Sequence, residues 1–166
     1  ANDDVFMVVD TSDTTGSTVG TSKKVKSTHI IQTDKISLSN AEIIALDDGG
    51  GAGESQELVG APGSGYAIIP FQVSIIGTYA TTTETSNKNM LVGYDASQSV
   101  RYWTTFGRIM SSVASGTATY MQCTPTASAG VILDTIDNRP LKIWSNGTFN
   151  GGWSANVYVT YQIVKL

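Results

Sequence analysis

Gln56-Glu57-Leu58-Val59-Gly60-Ala61-Pro62-Gly63-Ser64-Gly65-Tyr66-Ala67-Ile68-Ile69-Pro70-Phe71-Gln72-Val73-Ser74-Ile75-Ile76-Gly77-Thr78-Tyr79 is the stretch that decides the fold class. A short apolar strand ends at Val59, and Gly60, Pro62, Gly63 and Gly65 follow as turn residues. A longer run of β-branched and aromatic residues then continues to Tyr79. Pro fixes φ and Gly supplies positive φ, so Pro62-Gly63 predicts a tight reversal. The flanking runs are rich in Val, Ile, Phe and Tyr and are interrupted by Gly and Pro, which favours strand over helix.

The same reading extends outward on both sides. Downstream, Ala80 to Asn89 is a polar hairpin or loop, and Met90 to Tyr94 is a strand. Val100 to Phe106 is another, and Ile109 to Val113 is a short apolar stretch. Thr117 to Thr124 alternates with a period of two, the signature of a half-buried strand. Val131-Ile132-Leu133 and Leu141 to Trp144 flank the turn Asp137-Asn138-Arg139-Pro140. In Asn156 to Val164, the residues Val157, Val159, Tyr161 and Ile163 share one face, and Tyr158, Thr160, Gln162 and Val164 share the other. Upstream, Ile30, Ile31, Ile36 and Leu38 read as strand. Ser39 to Leu46 reads as one short helical turn, with Ser39 as N-cap, Glu42 completing a capping box, and Ile43 and Leu46 on one face. Many short strands separated by Gly, Ser, Thr and Pro turns predict an all-β protein, a β-sandwich or jelly roll.

Residues 1–28 stand apart from this pattern. Val5 to Val9 is a short strand candidate, and the polar segment from Asp10 to Ser22 has too few apolar residues to build a core. The division expected is an extended N-terminal arm over residues 1–28 and a sandwich head over residues 29–166. At 166 residues, the chain is one domain or one domain with an arm, and is long enough to bury a core.

Charge and composition restrict the function. Ten basic residues against fourteen acidic ones leave a net charge of −4, and only Lys23, Lys24 and Lys26 cluster. A phosphate-neutralising surface is not built from so few, so nucleic acid is not an expected partner. The longest apolar run, Ile68 to Ile76, is broken by Pro70 and Gln72, so no membrane insertion is expected. The first residues lack a basic-then-apolar leader pattern. Cys123 is the single cysteine, so no disulfide forms within the chain and stability rests on packing or assembly.

Chemistry-bearing motifs are sparse. His29 is the lone histidine, and one His with one Cys does not supply a zinc site. The acidic loop from Asp47 lacks the alternating oxygen ligands of a helix–loop–helix calcium site. Gly49 to Gly53 lacks the Lys-Ser/Thr that follows a phosphate-cradling loop. Asp95, Asp134 and Asp137 offer carboxylates of the kind a glycosidase pairs, but at strand ends they read first as turn formers. The expectation is a protein that is not an enzyme and carries no cofactor or metal. Trp144-Ser145-Asn146-Gly147-Thr148-Phe149-Asn150-Gly151-Gly152-Trp153 is the most suggestive stretch. Trp144, Asn146 and Trp153 are candidates for glycan or interface contact; the plainer reading puts one Trp in the core and the other under the loop or at a subunit interface. A lectin-like carbohydrate-binding module is therefore the alternative function. Asn146-Gly147-Thr148 also matches a glycosylation sequon, which has weight only in a eukaryotic secretory setting.

Two segments resemble known families. The run from Val8 to Val25, with Asp10, Asp13-Thr14-Thr15 and Gly20-Thr21-Ser22-Lys23-Lys24, resembles the N-terminal attachment segment of tailed-phage fibre and appendage proteins. Lys35 to Ser39 and Glu42 to Leu46, then Glu57 to Ile68, Asn138 to Leu141 and Val157 to Tyr161, resemble a β-sandwich domain frequent among phage virion proteins. The glycine-rich Asp47 to Glu54 loop is longer than that pattern has. The resemblance implies a virion surface protein, made in the bacterial host cytoplasm, trimeric, and in contact with capsid shell or tail components. In that reading Val8, Asp10, Asp13, Thr14, Thr15, Gly20, Lys23 and Lys24 form the attachment arm. The head is a short fibre or tail appendage, with a host surface glycan as a candidate partner, or a capsid decoration (cement) protein. The arm favours the appendage; the compact length and lack of a fibrous shaft favour cement.

Overall fold

A computed structural model describes residues 5–10, 21–26, 30–47, 54–94, 102–122 and 135–166. Strands β1 (Val5–Asp10) and β2 (Thr21–Lys26) form an antiparallel two-stranded sheet. The strand expected at Val5–Val9 is present. Its partner is the lysine-bearing segment Thr21–Lys26, for which no strand was expected, so the arm carries a ladder of its own.

The head contains β3 (Gln32–Leu38), α1 (Asn40–Ala45), β4 (Gln56–Val59), β5 (Tyr66–Tyr79), β6 (Met90–Tyr94), β7 (Tyr102–Phe106), β8 (Thr117–Gln122), β9 (Leu141–Ser145) and β10 (Trp153–Lys165). They make two four-stranded antiparallel sheets, ordered β3-β10-β5-β8 and β4-β9-β6-β7. Most consecutive strands lie in opposite sheets, the arrangement of an eight-stranded jelly roll. The all-β sandwich read from the sequence is the fold.

The longest pairing joins β5 and β10, from Trp153↔Tyr79 to Lys165↔Tyr66, with a register shift between Thr160 and Tyr161. Phe71 falls opposite that shift, between Pro70 and Gln72, and is exposed. A bulge of this kind lets Pro70 sit in a long strand without leaving a gap in a regular ladder. Alternation places Val157, Val159 and Tyr161 of β10 and Val73 and Ile75 of β5 in the interior. The facing sheet contributes Met90, Val92, Tyr94, Leu141 and Ile143. Tyr94 ties the layers together: its buried hydroxyl donates to the Ile68 carbonyl at 2.7 Å.

Around the Pro62-Gly63 turn β4 and β5 do not pair; the turn carries the chain from one sheet to the other. It is held there by the distant turn that contains Asp137 and Asn138. Gly63 N–H donates to Asn138 Oδ1 at 2.9 Å, and Gly65 N–H donates to Asp137 Oδ1 at 2.7 Å. Asp137 is thus a turn former, as strand-end carboxylates usually are.

Helix α1 has the predicted capping box. Glu42 N–H donates to Ser39 Oγ at 3.3 Å, and Ser39 N–H donates to Glu42 Oε2 at 2.7 Å. The Ser39 hydroxyl, which donates to Glu42 Oε2 at 2.6 Å, and then the Ser39 N–H hold the Glu42 carboxyl below its usual range. Ile43 and Leu46 are fully buried and close one end of the core.

Candidate functional site

The arm residues come first in the chain. Val8 and Asp10 lie in β1, and Lys23 and Lys24 lie in β2, with Val8 opposite Lys23 and Asp10 opposite Thr21. Asp13, Thr14, Thr15 and Gly20 are outside the described residues. So are His29, Asp95, Cys123 and Asp134.

Trp144 and Trp153 belong to adjacent strands in the chain but to different sheets. Trp144, in β9, is fully buried and sits opposite Leu91 of β6. It faces away from Leu141 and Ile143, because alternate residues of a strand point to opposite sides. Its indole Nε1 has no hydrogen-bond partner. Trp153, at the start of β10, is 1% exposed and packs edge-on against Phe149, with ring centroids 5.4 Å apart and an interplanar angle of 87°. In this arrangement neither indole presents a stacking face to solvent. Asn146 is exposed and bridges to the neighbouring loop: its Oδ1 accepts from Asn89 N–H at 2.8 Å, and its own N–H donates to the Asn89 carbonyl.

What organises the Trp153 end is a residue the sequence did not single out. Glu84 is 2% exposed, and its carboxylate is surrounded by N–H donors, with the Ser86 hydroxyl beside it. Oε1 accepts from Ser86 N–H at 2.8 Å and from Asn150 N–H at 3.4 Å. Oε2 accepts from Asn150 N–H at 3.2 Å, Gly151 N–H at 2.9 Å and Trp153 Nε1–H at 3.1 Å. Burial works against the charge, but the donors at Ser86, Trp153 and Gly151 outweigh it and hold the carboxyl below its ordinary value.

Four segments converge on this carboxylate. The 80–86 loop carries it. Segment 149–153 supplies three of its donors, and Gly152 N–H also donates to the Thr82 carbonyl at 2.7 Å. The 107–112 turn is fastened by Ser112 N–H, which donates to the Glu84 carbonyl at 3.1 Å. Helix α1 contributes Asn40, whose Nδ2 donates to the carbonyls of Gly151 and Trp153 at 2.8 and 3.1 Å. The paired glycines of Asn150-Gly151-Gly152-Trp153 have a packing role. A Cβ on Gly151 would meet the Glu84 backbone at 2.9 Å, and one on Gly152 would meet Thr81 Oγ1 and the Thr82 nitrogen. A glycine-rich loop that reads as adaptable is, here, backbone pressed on backbone.

The outward side of sheet β3-β10-β5-β8 is the other distinctive surface. Thr33, Lys35 and Ser37 of β3 lie beside Thr160, Tyr158 and Asn156 of β10, and these beside Gln72, Ser74 and Ile76 of β5. Thr33 and Thr160 share a hydroxyl hydrogen bond at 3.0 Å, Ser37 Oγ donates to Asn156 Oδ1 at 2.8 Å, and Gln72 Nε2 donates to Ser74 Oγ at 3.1 Å. Lys35 is the single charge among these nine residues, with Nζ 5.9 Å from the centre of the Tyr158 ring. Tyr and Asn with short hydroxyl side chains make contact surface at low ordering cost.

Among the described residues no group of three or more His, Cys, Asp or Glu is placed to hold a metal ion. No helix among them is long and apolar enough to cross a membrane.

No protein-family model matches the chain, and no curated protein matches it. Among solved structures, it is similar to a chain of the capsid asymmetric unit of cyanophage Pam1, with 14% identity, TM-score 0.43, and coverage of 80% of this chain and 83% of that one. It is also similar to a chain of the acid-stable capsid of Helicobacter pylori bacteriophage KHP30, with 13% identity, TM-score 0.40, and coverage of 82% and 93%. A third is a carbohydrate-binding module of Cellvibrio mixtus lichenase 5A in complex with cellotriose, with 14% identity, TM-score 0.31, and coverage of 95% and 86%. All three TM-scores lie below 0.5, a loose likeness of shape from which no function is taken.

Proposed function

We propose that the chain is a non-enzymatic structural protein of a tailed-phage virion surface. Residues 1–28 anchor it to the particle, and the sandwich assembles as a homotrimer and projects as a short fibre or tail appendage toward the host. The observation that carries this reading is the succession, in one chain, of an attachment-like segment and a jelly-roll head. Val8 to Val25 resembles phage attachment segments in sequence. The head has the strand order β3-β10-β5-β8 over β4-β9-β6-β7, an architecture found in viral capsid and lectin domains. Fold by itself does not choose between these; the segment in front of it does. The outward side of β3-β10-β5-β8, with Lys35 its single charge among the nine residues described, suits packing against another copy because like charges do not confront each other there.

Deletion of residues 1–28 tests the anchor. The expected product is a folded, soluble head that is missing from purified particles, and normal incorporation of the truncated chain would overturn the reading. Labelling the full chain on imaged particles tests its place. Label at the tail supports the appendage, and label spread over the shell replaces it with a capsid decoration protein that clamps shell subunits.

A further inference from the structure

Glu84 is a buried carboxylate hydrogen-bonded by N–H groups, and the one neighbour able to accept a proton from it is the buried Ser86 hydroxyl. Five hydrogen bonds reach it, all from N–H groups, at 2.8–3.4 Å. None of these groups can accept the proton of a carboxylic acid. Proton uptake therefore removes an acceptor and, except toward Ser86, sets an O–H against donors, in a place with little water to make good the loss. The ionised state, by contrast, binds segment 149–153 at two successive backbone N–H groups, Asn150 and Gly151, and at the Trp153 indole.

Few other charges stand on the elements packed around it. Its own loop carries Lys88, the 107–112 turn carries Arg108, α1 carries Glu42, and segment 146–153 carries none. Glu42 is engaged by Ser39 at the helix cap, and the nearby Tyr79 hydroxyl donates to the Thr81 carbonyl. The protonation of Glu84 is thus the one change on these elements that reaches segment 149–153 directly as the solution is acidified.

We propose that Glu84 is an acid-released latch: proton uptake by its carboxylate releases the amides of Asn150 and Gly151 and the Trp153 indole, and loosens this end of the sandwich while both sheets stay formed. In the released state the Trp153 indole loses its acceptor, while the bonds of Gly152 to residues 80–82 and of Asn40 to Gly151 and Trp153 remain. The sheets are independent of the latch because β5 and β10 pair along their whole length through backbone bonds that do not titrate. The sign follows from the bonding. The charged form is the one stabilised in the folded protein, so the latch is closed above the ordinary glutamate value of about 4.3 and is lost as pH falls below it.

The experiment is amide and indole hydrogen exchange by NMR on the full chain between neutral and acid pH. In the wild type, the Trp153 indole N–H and the amides of Asn150 and Gly151 are expected to lose protection in a one-proton step below about pH 4.3, while Val157 and Ile75 remain protected. Trp153→Phe removes one donor to the carboxylate and keeps an aromatic ring, so release of the two amides should move to higher pH by about one unit. Glu84→Gln, uncharged at every pH, should show the released pattern at neutral pH. If Glu84→Gln does not fold, the wild-type titration and Trp153→Phe decide the matter between them. Protection of Asn150 and Gly151 down to the acid limit, their loss only together with Val157 and Ile75, or an unmoved midpoint in Trp153→Phe would each overturn the latch.

Discussion

At the scale of single residues, Gly77 is a position within the sandwich with little room. It lies within β5, where glycine is ordinarily unfavourable. A Cβ there would stand 2.5 Å from the Met110 sulfur and 2.8 Å from its Cγ. Met110 is 1% exposed and belongs to a turn in which Arg108, Met110 and Ser112 all have left-handed φ, at 50°, 62° and 63°. The turn is fastened to Glu84, so Met110 has little freedom to withdraw. Gly77→Ala should destabilise the fold by about 1–3 kcal/mol through overpacking, read as a lowered denaturant midpoint at unchanged slope. Adding Met110→Ala to Gly77→Ala should cost less than the two single changes together, since one relieves what the other creates. Additive costs would show that the two side chains do not compete for this space. Neither the glycine nor Glu84 is legible in the sequence. Glu84 is a lone acid among threonines, and its partners at Asn150, Gly151 and Trp153 are 66 to 69 residues away. Local pattern carries no record of such a pairing.

At the scale of elements, legibility followed locality. The capping box of α1 spans four consecutive residues and was readable in full. Ser39→Ala removes the cap and should cost about 1 kcal/mol, seen as a lower thermal midpoint with no change in far-ultraviolet spectrum beyond the helical turn. A loss below a few tenths of a kcal/mol would mean that burial of Ile43 and Leu46 alone holds the turn. Strands β5, β6 and β10 were likewise visible, since alternation and β-branched runs are properties of a few neighbouring residues. The partner of each strand was not visible, because pairing depends on contacts distant in the chain. Hence Pro62-Gly63 is legible as a turn, but not as a passage between sheets. The Ile109 to Val113 stretch shows the same limit. Its apolar character is that of a turn with Ile109 and Met110 buried, and it pairs only through the Glu84–Ser111 bridge.

At the scale of the whole molecule, the burial of Trp144 and Trp153 moves the search for partners to the arm and the flat outer sheet face. Composition had left the tryptophans open to either use, because an aromatic residue is as suited to a core as to a sugar. The sandwich has no disulfide to stiffen it, and assembly is an available source of further stability. Light scattering on the full chain should return three times the mass of one chain, with the melting temperature rising as protein concentration rises. A concentration-independent monomer would remove the trimer from the proposed function and leave the anchor to be judged separately.

The position of β10 has a consequence in time. It lies between β3 and β5 in its sheet, and β9 likewise lies between β4 and β6 in the other. The strands that fill the centre of each layer are the ones synthesised after all their neighbours. While the ribosome is still making residues 141–165, β3 and β4 have no lateral partner to accept, and the apolar sides of β5 and β6 wait uncovered. Closure of the head consequently waits for residues 141–165 and is governed by contacts remote in sequence, the slow class of folding reaction. The β1–β2 ladder, whose pairing closes over a short loop, is complete long before.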